Sequence, residues 1–133
     1  MILARVNTMD IELIQFAEGY KALSEPLRVR LLTIMEEAGE ICVHECMAIT
    51  EHPQSTISRH LGALYKNGWL AKRREGVWIH YSISADLNDW KRKTLEVLFS
   101  NSSQTQWFLG DRERLRTIRP DTPTEKPSSP EIS

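Results

Sequence analysis

Three residues within a stretch of five have side chains that can bind a metal ion: Cys42, His44 and Cys46. Thiolate and imidazole groups are ligands of zinc and of softer metals. If residues 42–46 form a continuous helix, the two cysteines lie on one face and His44 points away from them. If the helix begins only after Cys42, then Cys42 and His44 converge near Glu45, and water or a second subunit completes the site. Alternatively, the cysteines pack as small hydrophobes or act in a thiol-oxidation switch.

A second set of candidate residues is polar and basic, and its chemistry suits duplex DNA. Short hydrogen-bonding side chains and an arginine that can bond guanine bidentately are typical of a helix in the major groove, while nearby cations meet phosphates. Residues 53–82 carry five Lys and Arg against Glu75 alone, although the whole chain has a net charge of −1. The candidate DNA-binding residues are Gln54, Ser55, Thr56, Ser58, Arg59, His60, Lys66, Lys72, Arg73 and Arg74.

The spacing of apolar residues predicts helices that position both sets. A first helix is expected over about 10–23 and a second over 26–39, with Pro26 in its first turn and Gly39 at its end. One or two helical turns follow over 43–50, and a helix over 53–67 carries most of the candidate DNA-binding residues. Two helices therefore flank a tight turn.

After residue 68 the apolar period changes from helical to alternating. The alternation over 70–83 predicts a β-hairpin whose turn is Arg74-Glu75-Gly76. Further helices are predicted over about 86–100 and within 101–118. Four prolines after residue 119 indicate a solvated tail.

Helix, tight turn, helix and basic hairpin follow one another in the order of a winged helix-turn-helix. The fold class is therefore mainly α with a small β-hairpin. The chain has no apolar run of about 20 residues and its start lacks a secretory h-region, so we expect a cytoplasmic protein with no membrane partner. Cys42 and His44 have no oxyanion device, cofactor loop or third orienting group, so an enzyme is not predicted.

Three segments of the chain resemble the ArsR/SmtB family of repressors: residues 20–28 (YKALSEPLR), 54–61 (QSTISRHL) and 76–81 (GVWIHY). The resemblance covers about residues 10–100. It implies a homodimeric winged-helix repressor that binds double-stranded DNA at an inverted-repeat operator and releases it when an inducer binds. It also implies a dimer interface formed by the first helix and the helix after the wing.

The same resemblance bears on the inducer. In metal-sensing members the segment before the recognition helix reads Glu-Leu-Cys-Val-Cys-Asp-Leu, whereas residues 40–46 here read Glu-Ile-Cys-Val-His-Glu-Cys. Cys42 matches, and His44 replaces the second thiol, which weakens the case for As(III) and suits zinc, copper or nickel. The expected inducer is As(III) or zinc at Cys42, His44 and Cys46. The alternatives are a metal- or redox-responsive thiol protein, or a family member that senses a non-metal metabolite at a different site.

The sequence therefore divides into four parts. An N-terminal extension spans 1–9, the winged helix-turn-helix DNA-binding and dimerisation domain spans 10–100, a C-terminal helix lies within 101–118, and a disordered tail spans 119–133.

Overall fold

The helices that the apolar spacing predicts are all present, with bounds that differ by a few residues. The computed structural model describes residues 7–120, so residues 1–6 of the expected extension and 121–133 of the expected tail lie outside the described residues. The elements of the described part are, in order, α1 Thr8–Ala22, α2 Pro26–Ala38, β1 Glu40–Cys42, α3 Val43–Thr50, α4 Gln54–Lys66, β2 Leu70–Glu75, β3 Trp78–Ile83, α5 Asp89–Ser102 and α6 Gln106–Ile118.

Helices α2, α3 and α4 pack together because each has an apolar stripe at helical spacing. Leu31, Ile49 and Leu61 are fully buried at their centre. Pro26 opens α2, where the missing N–H would have had no helical partner. Gly39 ends α2 with a φ of 85°, a conformation that glycine adopts without steric cost.

The turn between α3 and α4 is only three residues long, Glu51 to Pro53. Glu51 has a φ of 62°, and it is the one residue other than glycine with a positive φ among residues 7–120. Its N–H donates to the Met47 carbonyl at 2.8 Å, which ends α3. The Ile57 N–H donates to the Pro53 carbonyl at 3.1 Å, so α4 begins directly after the turn.

The hairpin belongs to a three-stranded antiparallel sheet with the strand order β1-β3-β2. Strand β1 was not predicted, because three residues are too few to show an alternating pattern. The register places Cys42 opposite His80, and His80 opposite Arg73. The turn comprises Gly76 and Val77, so the predicted position at 74–76 is too early. The sheet thus connects Cys42 directly to the basic hairpin.

Helices α1 and α5 contact each other through aromatic rings. The Trp90 ring lies 4.7 Å from that of Phe16 and 4.9 Å from that of Tyr20, between centroids. Gly19 permits this approach, because a Cβ there would lie 2.4 Å from the Trp90 ring. Much of the apolar face of α1 remains exposed nevertheless.

Helix α6 packs against α2 and α3, with Phe108 and Leu115 buried. Asp111 of α6 is buried as well, and Arg30 of α2 donates two hydrogen bonds to its carboxylate at 3.1 and 2.8 Å. No helix within residues 7–120 is both long and apolar enough to cross a lipid bilayer.

Candidate nucleic-acid interface

One face of α4 is left uncovered by the rest of the described chain. Ile57, Leu61 and Leu64 turn inward and are fully buried. The exposed residues of the opposite face are Gln54, Ser55, Ser58, Arg59 and Lys66, with Thr56 half-buried at its edge. An α-helix fits the major groove, and hydrogen-bonding side chains near its N-terminus reach base edges there. The arrangement of α4 has the form that such an insertion requires.

His60 does not belong to this face, which corrects its inclusion among the candidate DNA contacts. Its side chain is buried, and its Nδ1 accepts a hydrogen bond from Arg28 Nε at 2.9 Å. Burial lowers the pKa of His60, and the positive charges of Arg28 and Arg59 lower it further. The spacing contains the signal, since His60 lies three residues after Ile57 and four before Leu64, on the inward stripe.

The wing, defined here as β2, β3 and their turn, carries its basic residues on exposed positions. Lys72, Arg73 and Arg74 are all exposed, as a contact with phosphate requires. Lys72 Nζ also lies 4.3 Å from the centre of the Tyr65 ring, so it links the wing to α4. Val77 is 86% exposed at the tip.

Arg73 is already paired within the protein. Its guanidinium donates to both carboxylate oxygens of Glu40 on β1, at 2.7 and 2.8 Å, and to Glu75 at 3.3 Å. These bonds lower the pKa of Glu40 and raise that of Arg73. Arg73 therefore ties the wing to β1, two residues before Cys42.

The candidate thiol site begins at Cys42, which ends β1 and caps α3. Helix α3 starts at Val43, as in the second of the two arrangements considered from the sequence. Cys42 and His44 both line a groove of about 200 Å³, together with Gln54 of α4 and Trp78 of the wing. The His44 ring meets the Trp78 ring edge-on at 5.4 Å between centroids. One groove thus borders the Cys42 thiol, the wing and α4, which we call the reading helix because its exposed face carries the candidate DNA-binding residues.

Cys46 is not in this groove. Its side chain is fully buried, and burial together with the neighbouring Cys42 and Glu45 raises its pKa to about 12. A thiol in this environment stays protonated, whereas metal binding requires the thiolate. Among residues 7–120, no group of three or more His, Cys, Asp and Glu side chains is placed to hold a metal ion. The structure brings Cys42 and His44 together and leaves Cys46 in the core.

A contact that the sequence does not predict closes the other side of this region. Arg119 Nε and Nη2 each donate to one carboxylate oxygen of Glu45, both at 2.6 Å. Its guanidinium also donates to the backbone carbonyls of Glu40 at 2.7 Å and Ala38 at 3.3 Å. Burial disfavours the Glu45 charge, but the bonds from Arg119 outweigh it and hold the Glu45 pKa below its usual value. Arg119 was expected to begin a disordered tail, and instead it is anchored to α3.

The fold and the uncovered α4 face with its basic wing define a winged helix-turn-helix DNA-binding protein. Solved structures of the same architecture agree. One is the homodimeric winged helix-turn-helix DNA-binding domain of a possible ArsR-family regulator from Mycobacterium bovis, with 27% identity and a TM-score of 0.62 over 75% of this chain and 90% of that one. Another is the transcriptional repressor BigR from Xylella fastidiosa, with 26% identity and a TM-score of 0.59 over 74% of this chain and 95% of that one.

Sequence comparison identifies the family. Residues 25–72 match the model described as bacterial regulatory protein, arsR family. The arsenic resistance transcriptional regulator ArsR2 of Pseudomonas putida is 35% identical over 99 residues, which are 74% of this chain and 84% of that protein. The chain belongs to the ArsR family. It is a DNA-binding transcriptional regulator and not an enzyme.

Proposed function

We propose that the protein is a homodimeric repressor that binds an inverted-repeat operator through α4 and the wing. A thiophilic ion, As(III) or a borderline metal such as zinc, binds at Cys42 and His44 and releases the DNA. DNA binding is supported chiefly by one observation: Gln54, Ser58 and Arg59 are exposed in the first turns of α4, and the opposite face of this helix packs into the core.

The wing supports a division of labour in DNA binding. Arg59 on α4 is suited to bidentate bonding with guanine, which discriminates between sequences. Lys72 and Arg74 are suited to phosphate contacts, which add affinity without reading sequence. Lys66 lies at the C-terminal end of α4 and belongs with the phosphate contacts.

Dimerisation is supported by the apolar faces of α1 and α5. Solvent reaches large apolar side chains on these helices to an extent that is unusual for a monomer surface. They are Met9, Ile11, Leu13, Ile14, Phe16 and Tyr20 on α1 and Val97 on α5. A second copy that covered this face would give two reading helices related by a two-fold axis, which matches an inverted repeat.

Two observations support the inducer. Several relatives carry names that refer to resistance to thiophilic elements: the Pseudomonas putida regulator is named for arsenic, and a Staphylococcus aureus relative with 36% identity over 81 residues is named for cadmium resistance. In this chain, the groove that contains Cys42 and His44 also touches Gln54 and Trp78. An ion there displaces the thiol proton and lies between the reading helix and the wing. The bound ion therefore stabilises a separation of α4 and the wing that differs from the one that binds DNA.

The DNA-binding proposal is tested with a duplex selected by the wild-type protein from a random-sequence pool. We expect specific binding that weakens steeply with added salt. Arg59→Gln is expected to lose about 1–3 kcal/mol of preference at particular base pairs. If no duplex is enriched over bulk DNA, the proposal is wrong.

The inducer proposal is tested by adding arsenite, and separately zinc, to the preformed complex. We expect release from the wild-type protein and none from Cys42→Ser. Cys46→Ala serves as the matched control, because it removes the thiol that lies in the core and should leave release intact. Release that persists in Cys42→Ser would exclude this site.

A further inference from the structure

Arg119, the residue that directly follows α6, joins three elements around the start of α3. Arg119 bonds to the Glu45 side chain of α3, to the Ala38 carbonyl at the end of α2 and to the Glu40 carbonyl of β1. Glu45 Oε1 accepts from Arg119 and also from the Cys42 N–H, at 3.1 Å. We propose that Arg119 is a positioning residue, which holds α3, and through it α4, in the pose that binds DNA without itself contacting DNA. This inference rests on the proposed DNA-binding function.

The chemistry of the contact requires arginine. Only a guanidinium presents a planar fork that pairs with both oxygens of a carboxylate while its remaining N–H groups reach backbone carbonyls. The two side chains are 21% and 25% exposed, so water screens the pair less than it screens an ion pair on the surface. Ala38 is the last residue of α2 and Glu40 is the first residue of β1, so the contact joins the two elements before α3 to its first turn.

Helix α6 packs firmly against α2 and so fixes the position of the Arg119 backbone. Phe108 and Leu115 are buried beneath it, and Asp111 pairs with Arg30 of α2 at 2.8 Å. The position of the guanidinium is therefore set by α2 and α6 together.

A displacement at the start of α3 moves α4 as well, because the turn between the two helices is short. Helix α3 has eight residues, and its buried Cys46 and Ile49 pack against the core. Only three residues separate it from α4, and one of them has a constrained left-handed conformation. With the Arg119 contact formed, the candidate DNA-binding face of α4 is uncovered. The contact is therefore compatible with bound DNA, and its loss frees α3 to depart from that pose.

The test compares duplex binding by five proteins at several salt concentrations, using the duplex selected by the wild-type protein. They are the wild type, Arg119→Gln, Glu45→Gln, the Glu45→Gln/Arg119→Gln double variant and Arg116→Gln. We expect Arg119→Gln and Glu45→Gln each to raise Kd about tenfold. The double variant should be no weaker than either single variant, because both remove one contact. Arg116→Gln removes the same charge from an exposed position on α6, where Glu113 is one of its partners, and should bind as the wild type does.

The salt dependence separates positioning from direct contact. A residue that touches phosphate contributes to the slope of log Kd against log salt, whereas Arg119→Gln should leave that slope unchanged. A purely structural defect would lower the active fraction in a stoichiometric titration and leave the Kd of that fraction unchanged. The proposal predicts the reverse.

Three results would overturn the inference: a Kd for Arg119→Gln within about twofold of the wild type, a reduced salt slope, or additive losses in the double variant. If Arg119→Gln does not fold, Arg119→Lys decides by the same criteria, because it keeps the charge and lacks the fork. A wild-type protein that selects no duplex would refute the proposed function and this inference together. Equal binding by the wild type and Arg119→Gln would refute the inference alone.

Discussion

At the scale of single residues, three neighbouring cations of the wing have different surroundings. Arg73 is held by Glu40 and Glu75, while Lys72 lies over the Tyr65 ring. Arg74 is exposed and forms no ion pair with any residue of the described range 7–120. Arg73 and Arg74 carry the same charge, but Arg73 attracts a phosphate less strongly, because Glu40 and Glu75 already compensate its charge.

We therefore expect Arg74→Gln to reduce the salt slope of DNA binding more than Arg73→Gln does. Each lost phosphate contact removes about 0.9 from the slope, or about 1.8 for the two copies in a dimer. Arg73→Gln should instead loosen the link between the wing and β1. The measurement is Kd for the selected duplex over a series of salt concentrations. Equal reductions by both substitutions would show that Arg73 leaves Glu40 and contacts phosphate.

His60 makes folding stability depend on pH. Its folded-state pKa lies below the ordinary value of 6.5, so the unfolded chain binds the proton more readily. Stability is then fully present above that value and decreases as pH falls through it. Protonation also removes the acceptor that Arg28 Nε uses.

His60→Gln retains an acceptor for Arg28 but does not titrate. We expect urea unfolding of this variant to show a shallower decrease in free energy between about pH 7.5 and pH 5 than the wild type shows. Identical pH dependence in the two proteins would mean that His60 is not the titrating group.

At the scale of elements, α6 is joined to the winged helix-turn-helix by a buried carboxylate. Asp111→Asn removes the charge that Arg30 and Arg114 face, and we expect it to lower the free energy of unfolding by about 1–3 kcal/mol. Glu113→Gln is the matched control on the exposed side of α6, where an ion pair contributes less than about 1 kcal/mol. Urea unfolding at fixed protein concentration measures both. Equal effects would indicate that α6 is not docked through Asp111.

The sequence predicted the helices and the wing because their periodicity is local. A stripe at three- and four-residue spacing, or alternation over 70–83, depends on near neighbours alone. It did not predict β1, which is defined by its pairing with β3, or the contact of Arg119 with Glu45, whose partners are 74 positions apart. The exposure of Gln54 and Arg59 followed from the apolar stripe on α4. The different environments of Cys42 and Cys46 depend instead on where α3 begins, which the sequence left open between two arrangements.

At the scale of the whole molecule, the uncovered apolar face of α1 and α5 makes oligomeric state a test of architecture. Ile14→Glu places a charge within that face, and we expect it to convert a dimer into a monomer, because an unpaired charge is costly to bury. Sedimentation velocity measures the mass, and duplex binding should weaken in parallel, since one reading helix then contacts one half-site.

Leu109→Glu provides the control for this substitution. Leu109 is exposed to a similar degree, 44% against 51% for Ile14, but lies on α6. The variant should sediment as the wild type does. If Leu109→Glu dissociates the protein and Ile14→Glu does not, the subunits meet through α6.

The left-handed conformation of Glu51 restricts how far α3 and α4 can move relative to each other. Glycine at this corner would remove a local steric cost of about 1 kcal/mol and would also let the two helices swing more freely. With glutamate, the turn between α3 and α4 is stiff, so that a small tilt of α3 is transmitted to α4. In the proposed repressor, the stiffness of this turn would let a displacement at Cys42, where α3 begins, change the angle at which α4 meets DNA.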